Sequence, residues 1–167
     1  MKVEKATEQD ISIIKNLTEA CARDMISKGI FQWNEHYPSR AVFEKDLERG
    51  ELFKLVEANQ IRGIMVLSDI EDPEYDGVKW SGEEGTKIYV HRLAVDPEYQ
   101  GMGYAQALMN FAQVYAIKEG FSWMRLDTFS QNKRNNIFYQ KLGFTRLGDI
   151  FFPKQSEHPF HCYDLRL

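Results

Sequence analysis

The chain has 167 residues, 43% of them apolar and 13% aromatic, which suits one domain around a single core and excludes a largely unfolded chain. Lys and Arg number 21 against 25 Asp and Glu, and the net charge of -4 excludes a broad electrostatic footprint for nucleic acid. No apolar window reaches bilayer length, the start MKVEKATEQD lacks an apolar signal core, and Cys21 and Cys162 have neither zinc nor disulfide-framework spacing. A single cytoplasmic domain over residues 1–167, without metal and away from membranes, is the expectation.

Lys2 to Thr7 has the short alternation of a strand, and Thr7 with Asp10 forms a capping box that starts a helix. From Glu8 to Lys28, Ile11, Ile14, Leu17, Ala20, Cys21 and Met25 recur at three- and four-residue steps, with Gly29 in the place of a C-terminal cap. The run from Ile30 to Pro38 mixes Phe31, Trp33 and Tyr37 with polar groups in neither period, so it reads as an aromatic loop; Ser39 then caps a second helix to about Arg49. Leu52–Glu57 and Ile61–Asp69 read as two strands of a hairpin whose turn, Ala58-Asn59-Gln60, lacks glycine. Ile70 to Gly85, with Pro73 and the acidic residues Glu71, Asp72, Glu74, Asp76, Glu83 and Glu84, reads as a long polar loop that either draws in a cationic amine or is a solvated face.

Lys87–Val95 is then a strand, Gly101–Glu119 a helix ended by Gly120, Ser122–Phe129 a strand, and Lys133–Leu142 a helix ended by Gly143. Phe144–Asp149 and Phe160–Leu167 close the chain as strands. The order β-α-α-β-β-β-α-β-α-β-β is that of a mixed α/β sheet with helices on both faces.

The chemistry concentrates at Leu93-Ala94-Val95 and the following Gln100-Gly101-Met102-Gly103-Tyr104-Ala105, a strand, a tight turn and the first turn of a helix. A pyrophosphate docked at a helix N-terminus is held by unpaired backbone N–H groups and the helix dipole. Gly101 and Gly103 let the backbone approach the phosphates, Ala105 keeps the first turn slim, and Gln100 adds an amide donor. The dinucleotide fingerprint G-x-G-x-x-G does not fit, because its third glycine position is Gln106.

This stretch resembles the acetyl-CoA signature Q/R-x-x-G-x-G/A of the GNAT (Gcn5-related) N-acetyltransferase superfamily, with Gln100, Gly103 and Ala105 in the defined positions. The block from Asn132 to Phe144, with Phe138-Tyr139 and Gly143-Phe144, resembles the later motif of the same family. The resemblance implies a GNAT-like, mostly antiparallel twisted sheet of six to seven strands. It also implies acetyl transfer from acetyl-CoA to a small-molecule or peptide primary amine by direct attack in a ternary complex, and it permits a homodimer. An acetyl-CoA-binding sensor without turnover is the alternative.

By resemblance, the backbone around Leu93, Ala94 and Val95 binds the pantetheine arm and the residues from Gln100 to Ala105, Met102 and Tyr104 included, cradle the phosphates. Asn132 contacts the arm and doubles as a helix N-cap; Tyr139 protonates the departing thiolate, or is a core tyrosine. The base is His91, whose imidazole suits neutral pH, or Asp127, or a water chain. Tyr89 can hold a water beside His91. Gln32, Trp33 and Tyr37 wall an acceptor pocket, with Phe160 and Tyr163 near it, or are core aromatics under a loop.

Overall fold

The computed structural model describes residues 1–167. Its strands are β1 (Lys2–Lys5), β2 (Leu52–Glu57), β3 (Gln60–Ser68), β4 (Lys87–Val95), β5 (Trp123–Phe129), β6 (Thr145–Ile150) and β7 (Phe160–Arg166). Its helices are α1 (Ile11–Ser27), α2 (Arg40–Glu48), α3 (Tyr104–Lys118) and α4 (Lys133–Lys141). The strands form one mixed, mostly antiparallel sheet of seven in the order β1-β2-β3-β4-β5-β7-β6. By its contacts the chain divides into two compact units, Met1–Leu67 with His91–Ala112, and Ser68–Val90 with Gln113–Leu167.

In the first unit β1, β2 and β3 pair antiparallel, from Lys5↔Phe53 through Glu57↔Gln60. The hairpin turn manages without glycine because Ala58 (φ 49°) and Asn59 (φ 59°) both take the left-handed conformation that a two-residue turn of this hand requires. Asp10 accepts from the Thr7 backbone N–H at 2.7 Å, closing the capping box ahead of α1, and Lys54 of β2 reaches the same carboxylate at 2.7 Å. Ser39 Oγ accepts from the Val42 N–H at 3.3 Å and so starts α2. The apolar stripe of α1, with Ile11, Ile14, Leu17, Cys21 and Ala22, packs on Trp33, Phe43, Leu52, Ile64, Val66 and Ala94. Each large aliphatic buried there contributes about 2 kcal/mol.

In the second unit β4 runs parallel to β5 from Lys87↔Trp123 to Val90↔Leu126, and β5 pairs antiparallel with β7 from Trp123↔Arg166 to Phe129↔Phe160. The β6–β7 register shifts between Arg146 and Asp149. Phe129, Phe152 and Phe160 form an aromatic cluster with ring centroids 5.0 to 5.2 Å apart. The expected polar loop after β3 is tied down. Pro73–Tyr75 form a short 3-10 turn, Tyr75 is fully buried, and Ser81 gives its N–H and its hydroxyl to Asp164 at 2.8 and 2.9 Å.

Candidate functional site

In the first unit, β4 ends at Val95 and a 3-10 turn over Pro97–Tyr99 leads to the glycine turn. Gly101 (φ +81°) and Gly103 (φ +90°) hold backbone conformations that L side chains rarely adopt, and a Cβ on either would meet nothing within 4 Å. That left-handed stretch keeps α3 from starting at Gly101, as the sequence suggests, and delays it to Tyr104. The Ala107 N–H bonds to the Gly103 carbonyl at 2.9 Å, so the N–H groups of Tyr104, Ala105 and Gln106 precede the helical ladder. Around the turn the scaffold is fixed: Gln100 Nε2 and Cys21 Sγ both donate to the Val95 carbonyl at 3.2 Å, and the Tyr104 hydroxyl donates to Glu57. Gln100 therefore braces the strand end with the amide expected to face a phosphate. Met102 is exposed beside the glycines. Arg62 lies over the Tyr99 ring at 3.7 Å and clamps the preceding turn. An anionic, flexible group fits this opening; the donors are backbone N–H groups at the positive end of a helix.

Upstream on β4, His91 is partly buried, and burial together with the adjacent Arg92 charge depresses its pKa to about 3. An imidazole so reluctant to take a proton is a weak base for an ammonium ion, which weighs against the role expected of it. Arg92 pairs with Asp46 of α2 through Nε at 2.9 Å and through its terminal nitrogen at 2.6 Å, and donates to the Tyr37 hydroxyl at 3.1 Å. Of the expected acceptor residues, Trp33 is a core side chain at 7% exposure, Tyr37 packs against the same core with its hydroxyl on Arg92, and Gln32 is partly exposed.

In the second unit, Asn132 caps α4 by accepting from the Asn135 N–H at 3.2 Å, and Asn136 bolts the helix to β5 and β7. The Asn136 amide donates to the Phe129 and Asn132 carbonyls at 3.0 and 2.8 Å and accepts from the Tyr163 hydroxyl at 2.6 Å. Tyr139, one turn on, is buried edge-on to Phe144 at 5.9 Å and beside Tyr163 at 6.1 Å. Unlike Tyr163, it has no protein hydrogen bond to its hydroxyl, and burial, with the Asp127 carboxylate second, pushes its pKa well up.

Asp127 accepts from the buried Tyr75 hydroxyl at 2.6 Å, and the Tyr75 ring touches Trp80 at 5.3 Å and Tyr89 at 5.7 Å. The Tyr89 hydroxyl donates to Glu71, and burial first, then that hydrogen bond, raises its pKa to about 12. Arg125 stacks on Trp80 at 4.3 Å, donates to the Gly82 carbonyl at 2.6 Å and lies 3.6 Å from Glu71. Asp127 and Tyr89 thus come together with Glu71 and Tyr75, whereas Phe160 joins the aromatic cluster of β5. The sequence reading missed Tyr75, Arg92 and Asn136. Tyr75 stands among acidic residues that hide its burial, and the only available signal was an aromatic inside an otherwise polar segment.

No group of three or more His, Cys, Asp or Glu side chains is arranged to hold a metal ion, and no helix is long and apolar enough to cross a membrane. The Acetyltransferase (GNAT) family model matches residues 14–144. An uncharacterized N-acetyltransferase of Bacillus subtilis, YesJ, is 23% identical over 147 residues, covering 86% of this chain and 81% of that one. A GNAT-family acetyltransferase structure from Streptococcus agalactiae superposes with a TM-score of 0.85 at 22% identity, covering 99% of this chain and 95% of that one. The PaiA N-acetyltransferase of Thermoplasma acidophilum, solved in complex with coenzyme A, gives 0.74 at 18% identity, with 99% and 98% covered.

Proposed function

Because the chain belongs to the GNAT acetyltransferase family, and is therefore an acetyl-CoA-dependent acetyltransferase, we propose that it acetylates a primary amine by direct attack within a ternary complex. The observation that carries this reading is the glycine turn just ahead of α3, where Gly101 and Gly103 take left-handed conformations and a Cβ on either would meet nothing within 4 Å. The backbone N–H groups of the turn and the first residues of α3, from Gly101 to Ala105, hold the pyrophosphate. Acetyl-CoA supplies an acyl group already activated as a thioester.

The remaining work falls to the chain. Backbone groups of Leu93, Ala94 and Val95 align the pantetheine arm, and an N–H there polarises the carbonyl. This is supported by the register of β4 with β5, whose last pair is Val90↔Leu126. Asn132 fixes the start of α4 and borders the arm, and Tyr139 gives a proton to the departing sulfur. The amine loses its proton to water, which Tyr89 and Asp127 line together with Glu71, rather than to His91. Gln32 and Tyr37 border the acceptor, with Trp33 as the core support beneath them. A cytoplasmic location, where acetyl-CoA is made and used, fits this reading.

The test is release of free CoA from acetyl-CoA with a panel of amines: L-lysine, spermidine and an alanine-initiated tripeptide. Amine-dependent release is expected. Tight acetyl-CoA binding without release on a broad panel overturns the enzyme reading in favour of a sensor.

A further inference from the structure

Three non-glycine residues have positive φ, and two of them, Ala58 and Asn59, make a hairpin turn where such angles belong. The third, Arg92 (φ 51°), lies inside β4. A left-handed residue in a strand persists only where its surroundings over-determine it. Here the surroundings are side-chain bonds. Asp46, with its side chain 5% exposed, grips the guanidinium side-on, and Arg92 extends a further N–H to the Tyr37 hydroxyl at 3.1 Å.

Stability alone gives no reason for this arrangement, since apolar residues of similar volume usually serve a buried site at least as well as an ion pair. What the pair supplies is geometry. Tyr37 ends a loop that is closed on itself: Asn34 Oδ1 accepts from the His36 and Tyr37 N–H groups at 2.8 and 2.9 Å, and the Asn34 N–H bonds to the Tyr37 carbonyl at 3.1 Å. Holding the Tyr37 phenol therefore holds the whole turn.

We propose that Arg92 is a positioning residue for the amine acceptor: backed by Asp46, it fixes Tyr37 and with it the 31–38 loop against the strand segment that carries the acetyl donor. The inference rests on the acceptor role given to that loop above. Arg92 stands between His91 and Leu93, so one residue sets both the local course of the donor strand and the place of the acceptor wall. Arg92→Lys keeps the charge but loses the side-on fork and the third bond; Tyr37→Phe leaves the Arg92–Asp46 pair intact and removes one hydroxyl.

Two measurements test it. In steady-state kinetics with whichever amine of the panel the wild type acetylates, Arg92→Lys should raise the acceptor KM by roughly tenfold and Tyr37→Phe by a few-fold, as expected for a lost hydrogen bond. kcat and the calorimetric Kd for acetyl-CoA should stay within about twofold, a split that a general loss of structure does not produce. In hydrogen exchange, the amides of residues 31–37 should exchange faster by about tenfold or more in Arg92→Lys, with β1 and β2 unchanged. An unchanged acceptor KM in both variants, or loop exchange at the wild-type rate, overturns the proposal. If the wild type acetylates no amine, the functional reading fails by itself, and loop exchange, read without any acceptor, still decides whether Arg92 holds the loop.

Discussion

Tyr139 keeps its proton because burial and the Asp127 carboxylate both oppose the phenolate. The role proposed for it needs a phenol that is protonated when the sulfur departs, and this one is, at every working pH. The same raised pKa makes complete transfer to a less basic thiolate uphill, so the contribution expected of the proposed acid falls at the lower end of general-acid catalysis. Tyr139→Phe leaves the packing on Phe144 and Tyr163 in place and should lower kcat by about 10²-fold, with the acetyl-CoA Kd and melting temperature little changed. Wild-type kcat under conditions where chemistry limits the rate reassigns the ring to the core. Sequence motifs nominate this residue, but an unbonded hydroxyl beside a bonded Tyr163 is legible only in three dimensions, because both stand on apolar-patterned elements.

The glycine turn acts as an element, since its two left-handed glycines shape a backbone cradle that no side chain enters. Gly103→Val imposes two separable costs: backbone strain of about 1–2 kcal/mol in the left-handed region, and two methyl groups in the space ahead of α3. Gly120, at φ +82° with nothing within 4 Å of a built Cβ, offers the matched control at the far end of the same helix. Gly103→Val is expected to weaken acetyl-CoA binding by about 100-fold or more by calorimetry with the circular dichroism spectrum retained, whereas Gly120→Val carries the strain alone and binds normally. Equal affinity in both variants means that the phosphates lie elsewhere.

Across the whole molecule, stability should carry the signature of His91. Its folded pKa of about 3 lies below its ordinary 6.5, so as pH falls below 6.5 the unfolded chain takes up a proton that the folded chain refuses. The stabilisation is complete above pH 6.5 and is lost progressively down to about 3. Asp10, Glu4 and Glu19, with pKa values lowered from 3.8, 4.5 and 4.5, release their contributions only further into acid. Between pH 6.5 and 5 the melting temperature of the wild type should therefore fall more steeply than that of His91→Gln. Parallel slopes mean that the imidazole titrates normally and returns it to the list of bases.

Sequence alone determined the order of elements, the caps at Thr7, Ser39 and Asn132, and the cofactor motif, because each depends on residues within a few positions of one another. Local spacing encodes hydrogen bonds such as that from the Asn135 N–H to Asn132. Tertiary structure decided the rest. His91, one of three bases the sequence left open, sits where burial lowers its pKa, since desolvation depends on what surrounds it and not on its neighbours in sequence. Tyr75 left an acidic loop for the interior because Asp127, 52 residues away, gives its hydroxyl a partner. Arg92 looked like one more charge on a strand until Asp46, 46 residues distant, closed on it. Contacts at that separation leave no period in the sequence, and folding alone brings them together.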